Sequence, residues 1–141
     1  MPSTCGTPKL SLRTTHYSVR VRRDNFGVPH VLGKTDADAA YGLGFAQSED
    51  DFVTVQDSIM TSRGHQAMLK GADGVPSDTL AALLNVQGVV DATYETQLPL
   101  HLKHVLEGYA AGVNHYAALH PDKVSPHLLP VAAWANTPSK P

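Results

Sequence analysis

Two glycines, Gly42 and Gly44, sit inside the longest helical pattern of this chain. The pattern runs from about Asp36 to Arg63 and stops at Gly64. Ala39, Leu43, Ala46, Val53, Gln56 and Met60 trace one side at helical spacing. Tyr41, Phe45, Phe52, Val55 and Ile59 widen the apolar face. A glycine inside a helix costs about 1 kcal/mol relative to alanine. Such a residue is kept where another backbone must pass close by, so a close-packed crossing is expected near Gly42 and Gly44. Thr35 and Asp38 stand at capping-box spacing, and Asp36 and Asp38 put acid in the first turn.

Upstream, Tyr17, Val19 and Val21 alternate with Ser18, Arg20 and Arg22. That period of two marks a strand with one apolar face. Asn25 and Gly27 in Asp24-Asn25-Phe26-Gly27 tolerate positive φ and reverse the chain. Val28, His30 and Leu32 then alternate with Pro29 and Val31. Pro29 lacks an N–H, which places this second piece at a sheet edge. The result is a β-hairpin over about 17–32. Two strands alone are barely stable in water, so the hairpin is expected to join a sheet built elsewhere. Residues 1–15 read as a flexible lead-in.

Downstream, His65 to Leu69 suit a helical turn, and Gly71 to Pro76 read as a loop. Ser77 or Asp78 would cap a short helix through Leu80, Leu83 and Leu84 that ends near Gly88. Asp91 to Gln97 form a separate short piece. Pro99 suits the first turn of a second long helix, about 99–119, with Leu102, Val105, Leu106, Tyr109, Val113 and Tyr116 on its buried side. The 121–141 tail is irregular, with Pro121, Pro126, Pro130, Pro138 and Pro141 punctuating it. The fold class is therefore α+β, mostly helical with an N-terminal β-hairpin, and residues 16–120 form its body.

Composition narrows the functional classes. The 141 residues are one domain's worth, 42% hydrophobic and only 17% charged. A formal net charge of −2 gives no general attraction to nucleic acid. Arg20, Arg22 and Arg23 mark the solvent face of a strand better than a phosphate track. The lone Cys5 excludes a disulfide within the chain. The N-terminus has no apolar signal core, and no run of about 18 apolar residues predicts a membrane span.

Local motifs that could carry chemistry are weak. His101, His104 and Glu107 share a helix face and would suit zinc, yet that face reads as solvated. Asp36 and Asp38 lack the glycine and distal glutamate of a calcium loop. Gly42-Leu43-Gly44 starts like a dinucleotide fingerprint, but Gln47 stands where its third glycine belongs. Glu49, Asp50 and Asp51 form an acidic cluster better explained by an exposed helix face than by acid–base chemistry. No catalytic residue, cofactor ligand or metal ligand is assigned.

Longer combinations are more specific. Val21-Arg22-Arg23-Asp24-Asn25-Phe26-Gly27-Val28-Pro29-His30-Val31 is one, and Tyr41-Gly42-Leu43-Gly44-Phe45-Ala46-Gln47-Ser48-Glu49-Asp50 follows it. Thr61 to Gly64 and Leu106 to Asn114 extend the pattern. Together they resemble the N-terminal part of the penicillin acylase family of N-terminal nucleophile hydrolases, closest in look to acyl-homoserine-lactone and aculeacin-type acylases. The resemblance covers about Tyr17 to Leu119. It implies the α-chain part of an αββα sandwich and a precursor that cleaves itself into α and β chains. The nucleophile opens the β chain, and its own amino group serves as base. The substrate would be an acylated small-molecule amide and the partner the β chain.

Carried over residue by residue, Asp24, Gly27, Pro29, His30, Gly42, Gly44, Glu49, Asp50 and Gly64 fall on family signature positions, all as scaffold. Asp51 departs from the family, which commonly has arginine there. The resemblance implies no cofactor in this chain and leaves room for calcium in the complete enzyme. It implies a periplasmic or secreted location for a full-length member; the compartment of this chain is left unassigned. The family pattern fades beyond His120, which leaves open a truncated, a frameshifted or an unusual short form. The rival expectation, motivated by the missing nucleophile, is a non-catalytic remnant or helical interaction module.

Overall fold

The computed structural model describes residues 9–13, 16–128 and 131. Cys5, Trp134 and the final prolines lie outside the described residues. Three strands and five helices follow in order: β1 Lys9–Arg13, β2 Ser18–Arg23, β3 Pro29–Gly33, α1 Asp36–Ser62, α2 Ala67–Lys70, α3 Val75–Leu83, α4 Val86–Gln97 and α5 Leu100–Leu119. Short 3-10 turns occupy Gly71–Gly74 and Pro121–Lys123.

The expected hairpin is present as β2 and β3, antiparallel, with Arg23 opposite Pro29 and Val19 opposite Gly33. The flexible lead-in is corrected over Lys9–Arg13. These residues pair with β2 and complete a sheet of order β1-β2-β3. The physical reason is the open edge of β2, whose backbone groups need partners. Leu10 and Leu12 fall opposite Val21 and Val19 and continue the period of two.

Helix α1 begins as the sequence requires. Thr35 Oγ1 accepts from the Asp38 N–H at 3.1 Å, and Asp38 Oδ2 accepts from the Thr35 N–H at 3.1 Å. The same carboxylate reaches back to the sheet, where its Oδ1 accepts from the Ser18 N–H at 2.8 Å. One acid thus caps the helix and fastens the start of β2. The helix ends in a Schellman arrangement: Gly64 (φ 67°) donates to the Thr61 carbonyl and His65 to the Met60 carbonyl.

The expected uninterrupted helix is interrupted at Asp51, whose backbone is extended (φ −153°, ψ 79°). The Asp51 carboxylate accepts from the Thr54 N–H at 3.0 Å and the Thr54 hydroxyl at 2.6 Å, so it caps the second segment. Val53 is exposed, as is Leu43, whereas Tyr41, Phe45, Ala46, Phe52, Gln56 and Met60 are buried.

The crossing predicted by Gly42 and Gly44 involves two different neighbours. A Cβ on Gly42 would lie 2.6 Å from both Val19 and Val31, so this glycine seats the sheet. A Cβ on Gly44 would strike the Tyr109 carbonyl, so that glycine seats α5. Helix α5 reciprocates: Gly108 abuts the Ala37 carbonyl, and Gly112 abuts the Tyr41 carbonyl and the Phe45 nitrogen. Contacts advance in the same sense along both helices, from Ala37–Gly108 through Tyr41–Gly112 to Phe52–Tyr116. The two helices therefore run parallel, and α2 to α4 carry the chain back. Val19, Val21, Tyr41, Phe45, Ala46, Phe52, Val113 and Tyr116 make the core. Each large side chain there contributes about 1.5–3 kcal/mol.

Other local expectations are corrected. Asp78 does not cap α3, which starts at Val75 with Pro76 in its first turn. Its carboxylate instead accepts from the Gln66 and Ala67 N–H groups at 2.7 and 2.8 Å, serving the orphan donors of α2. The break after α3 falls at Asn85 in the left-handed region (φ 49°), and Gly88 lies inside α4. Pro99 precedes α5 rather than opening it. Leu102 and Leu106 are exposed, because Gly108, Ala110, Gly112 and Val113 face α1.

Gly112→Ala places a methyl group against α1 backbone and is expected to cost about 1–3 kcal/mol by overpacking. Ala118→Ser on the exposed side should stay within about 0.5 kcal/mol. Urea unfolding compares them, and equal midpoints would refute the crossing. The Ser18 N–H bond and then the Thr35 bonds hold the Asp38 carboxyl below the usual range. A depressed folded value means the stabilisation is present above the unfolded value of about 3.9 and lost as pH falls through the folded one. Asp38→Asn should therefore lower the urea midpoint clearly at pH 7, and the gap should narrow near pH 3; a gap independent of pH would show that the charge is not what matters.

Candidate functional site

The signature residues do not gather into one pocket. They divide between the β2–β3 turn and the α1 contacts. At the turn, Asp24 Oδ1 accepts from the Phe26 and Val28 N–H groups, both at 2.9 Å. Gly27 adopts φ 85°, the left-handed region where a side chain is strained. Pro29 opens the edge strand, and the His30 ring lies 3.3 Å from Asp24 Oδ2. This arrangement is rigid because one short carboxylate closes the turn on itself.

Arg23 ties the turn to α1. Its Nη1 donates to the Gly27 carbonyl at 2.8 Å. Nη2 reaches Glu49 Oε2 and Asp50 Oδ1, each at 2.7 Å, and Nε reaches Glu49 at 3.3 Å. The planar fork of arginine is what allows three partners at once. The Glu49 bond pushes the Arg23 guanidinium above its already high value. Glu49 and Asp50 are thus clamp residues and Asp51 a helix cap, which accounts for the whole acidic cluster. Phe26 at the tip of this braced turn is 92% exposed.

Sequence reasoning missed a second pair of fasteners. Gln56, buried on α1, donates to the Lys123 carbonyl at 3.1 Å and accepts from the Ser125 N–H at 2.6 Å. Asn114 on α5 treats Val131 the same way: it accepts from the Val131 N–H at 2.8 Å and donates to its carbonyl. Val124, Leu128 and Val131 pack on the core below. The available signal was a glutamine on the apolar side of α1, since buried polar groups demand partners.

Other polar side chains are accounted for locally. The Ser48, Ser58 and Ser62 hydroxyls donate to the Gly44, Thr54 and Ser58 carbonyls one turn earlier. His101, His104 and Glu107 are exposed on α5, and among the described residues no group of three or more His, Cys, Asp or Glu is placed to hold a metal. Tyr41, almost fully buried, shares a hydrogen bond with the His115 ring beside Phe45. Burial pushes the Tyr41 hydroxyl up, which keeps it a neutral bonding group. No helix of the described residues is long and apolar enough to cross a membrane. The arrangement braces a turn and the segment after α5 against two helices.

The clamp has a measurable coupling. A double-mutant cycle of Arg23→Met with Glu49→Gln should give about 0.5–1 kcal/mol, reduced at 1 M salt. Additive effects at low salt would show that the contact carries no energy.

Comparison with known proteins fits this scaffold. The penicillin amidase family profile matches residues 18–140. An acyl-homoserine lactone acylase of Pseudomonas fluorescens (QuiP) is 31% identical over 138 residues, covering 98% of this chain and 16% of that protein. A penicillin acylase 2 proenzyme of a Pseudomonas species is 32% identical over 109 residues, covering 77% of this chain and 14% of that protein. The chain thus spans about a seventh of the length of such relatives. Among solved structures, the thermostable penicillin G acylase of Alcaligenes faecalis superposes with a TM-score of 0.69 at 21% identity, covering 83% of this chain and 67% of that one. That likeness is one of fold: helices around an N-terminal antiparallel hairpin. With the profile matched over most of its residues and the signature turn and helix crossing in place, this chain belongs to the penicillin amidase family.

Proposed function

We propose that the chain is the α subunit, or an α-chain fragment, of an amidohydrolase that cleaves the linear amide bond of acylated small molecules. Candidate substrates are acyl-homoserine lactones, lipopeptides and β-lactam side chains. The nucleophile and its base reside on a β chain released from the same precursor, and this chain alone is inactive. The observation that carries the reading is the braced signature scaffold, Arg23 on Glu49 and Asp50 with the glycine crossing beneath it, inside a profile match over residues 18–140.

The exposed apolar residues support a covering partner. Phe26, Val28 and Leu32 stand out on the hairpin, and Leu80, Leu83 and Leu84 on and just after α3. Exposed apolar groups in such number mark surfaces buried in an assembly. In the complete enzyme the chain supplies a rigid wall, so that the β-chain nucleophile and oxyanion donors meet the acyl amide in fixed geometry. Calcium, if the complete enzyme uses it, has no ligand set assigned here.

Translating the gene beyond the Pro141 codon in all three frames is the first test, followed by expression of the whole reading frame. Expected are two processed chains and release of free amine from an acyl-homoserine lactone or an acyl-β-lactam, with no release by the 141-residue chain alone. A stop codon with no β chain in any frame, or an assembled protein inert toward acyl amides, would leave the non-catalytic remnant or interaction module.

A further inference from the structure

One face of the β1-β2-β3 sheet packs on α1 through Val19, Val21 and Val31. On the other face Arg20, Arg22, His30 and Leu32 are exposed. The register sets Lys9 opposite Arg22 and Arg22 opposite His30, so three basic residues form a row across the three strands. The next row is Ser11, Arg20 and Leu32, and beyond it Arg13 stands opposite Ser18. Arg20, Arg22, His30, Val31 and Leu32 line a groove of about 280 Å³.

Like charges placed directly opposite on neighbouring strands destabilise a sheet. Among the described residues no ion pair reaches Arg20 or Arg22. The nearby acid, Asp24, is engaged by two turn N–H groups and by His30. All 13 acids of the chain fall between Asp24 and Asp122. Neither 1–8 nor 129–141 contains an Asp or Glu side chain.

We propose that this face docks a carboxylate-rich surface of the larger chain of the same acylase. Aspartates and glutamates would enter the groove, where Arg20 and Arg22 offer forked donors and Leu32 an apolar contact. The inference rests on the two-chain reading above and deepens it by naming the docking face and the chemistry of its partner. Length supports that occupant: the 138 residues aligned with one relative are 16% of that protein and the 109 aligned with another are 14% of it, which leaves ample further chain to cover the sheet.

The test uses the assembled enzyme expressed from the whole gene. Arg20→Lys and Arg22→Lys keep the charge and add an amine, so folding is preserved. Carbodiimide then joins that amine to any carboxylate in contact, and mass spectrometry identifies the bond. Expected is an amide from position 20 or 22 to an Asp or Glu of the larger chain. In parallel, the Arg20→Glu/Arg22→Glu pair should slow association of the two chains about tenfold at low salt, with the difference lost at 1 M salt. Amides only to Asp24 or to a second copy of this chain, or free labelling of both positions in the assembled enzyme, would overturn the docking face and leave the two-chain reading intact. Sedimentation of the enzyme with phosphatidylserine vesicles, abolished by the charge reversal, would assign the face to lipid and overturn it equally. If no larger chain assembles with this one, both fall together.

Discussion

The parallel contact of α1 with α5, made at backbone distance through glycines, is the constraint from which the rest of the structure follows. Ala37, Tyr41 and Tyr109 offer carbonyls where Gly108, Gly112 and Gly44 offer no side chain. Helices this close bury little more than backbone at the crossing, so the energy comes from what flanks it. Tyr41, Phe45, Phe52 and Tyr116 interlock on either side, with Phe45 edge-on to Tyr116 at 5.7 Å. Parallel helices cannot be joined by a short turn. The chain must travel back, and α2, α3 and α4 are that return path.

Polar side chains then fasten what hydrophobic contact alone leaves loose. Asp38 joins the helix start to β2, Asp78 serves the N–H groups of α2, Gln56 and Asn114 hold the segment after α5, and Arg23 braces the turn. Each of these side chains bonds at least one main-chain group, which would otherwise lose a hydrogen bond on burial. A chain with so few charges spends several of them on its own backbone. The same logic reads the acidic cluster at Glu49 to Asp51 as structural: two members clamp an arginine and the third restarts a helix.

Several of the residues that carry the resemblance make structural contacts in this chain. Asp24 and Gly27 shape a turn, Gly42 and Gly44 admit the sheet and α5, and Gly64 ends α1. Their demands are steric and directional.

Much of this was legible in the residues. The alternation around Val19 and Val21, the capping box at Thr35 and Asp38, the stop at Gly64 and the close approach at Gly42 and Gly44 all follow from local sterics and periodicity, which a sequence carries openly. Other features depended on neighbours distant in the chain. Whether Lys9–Arg13 is a strand depends on the free edge of β2. Whether Leu102 and Leu106 are buried depends on which face of α5 its glycines turn toward α1. Asp78 serves donors twelve residues away instead of its own helix, and Gln56 finds its partners past α5. By itself the sequence determined element types, their caps and the places where only glycine fits, because those are set by a residue and its near neighbours. The tertiary structure alone decided the pairing of elements, the parallel sense of α1 and α5 and the partner of each buried polar group, because those depend on which surfaces meet when the chain closes on itself.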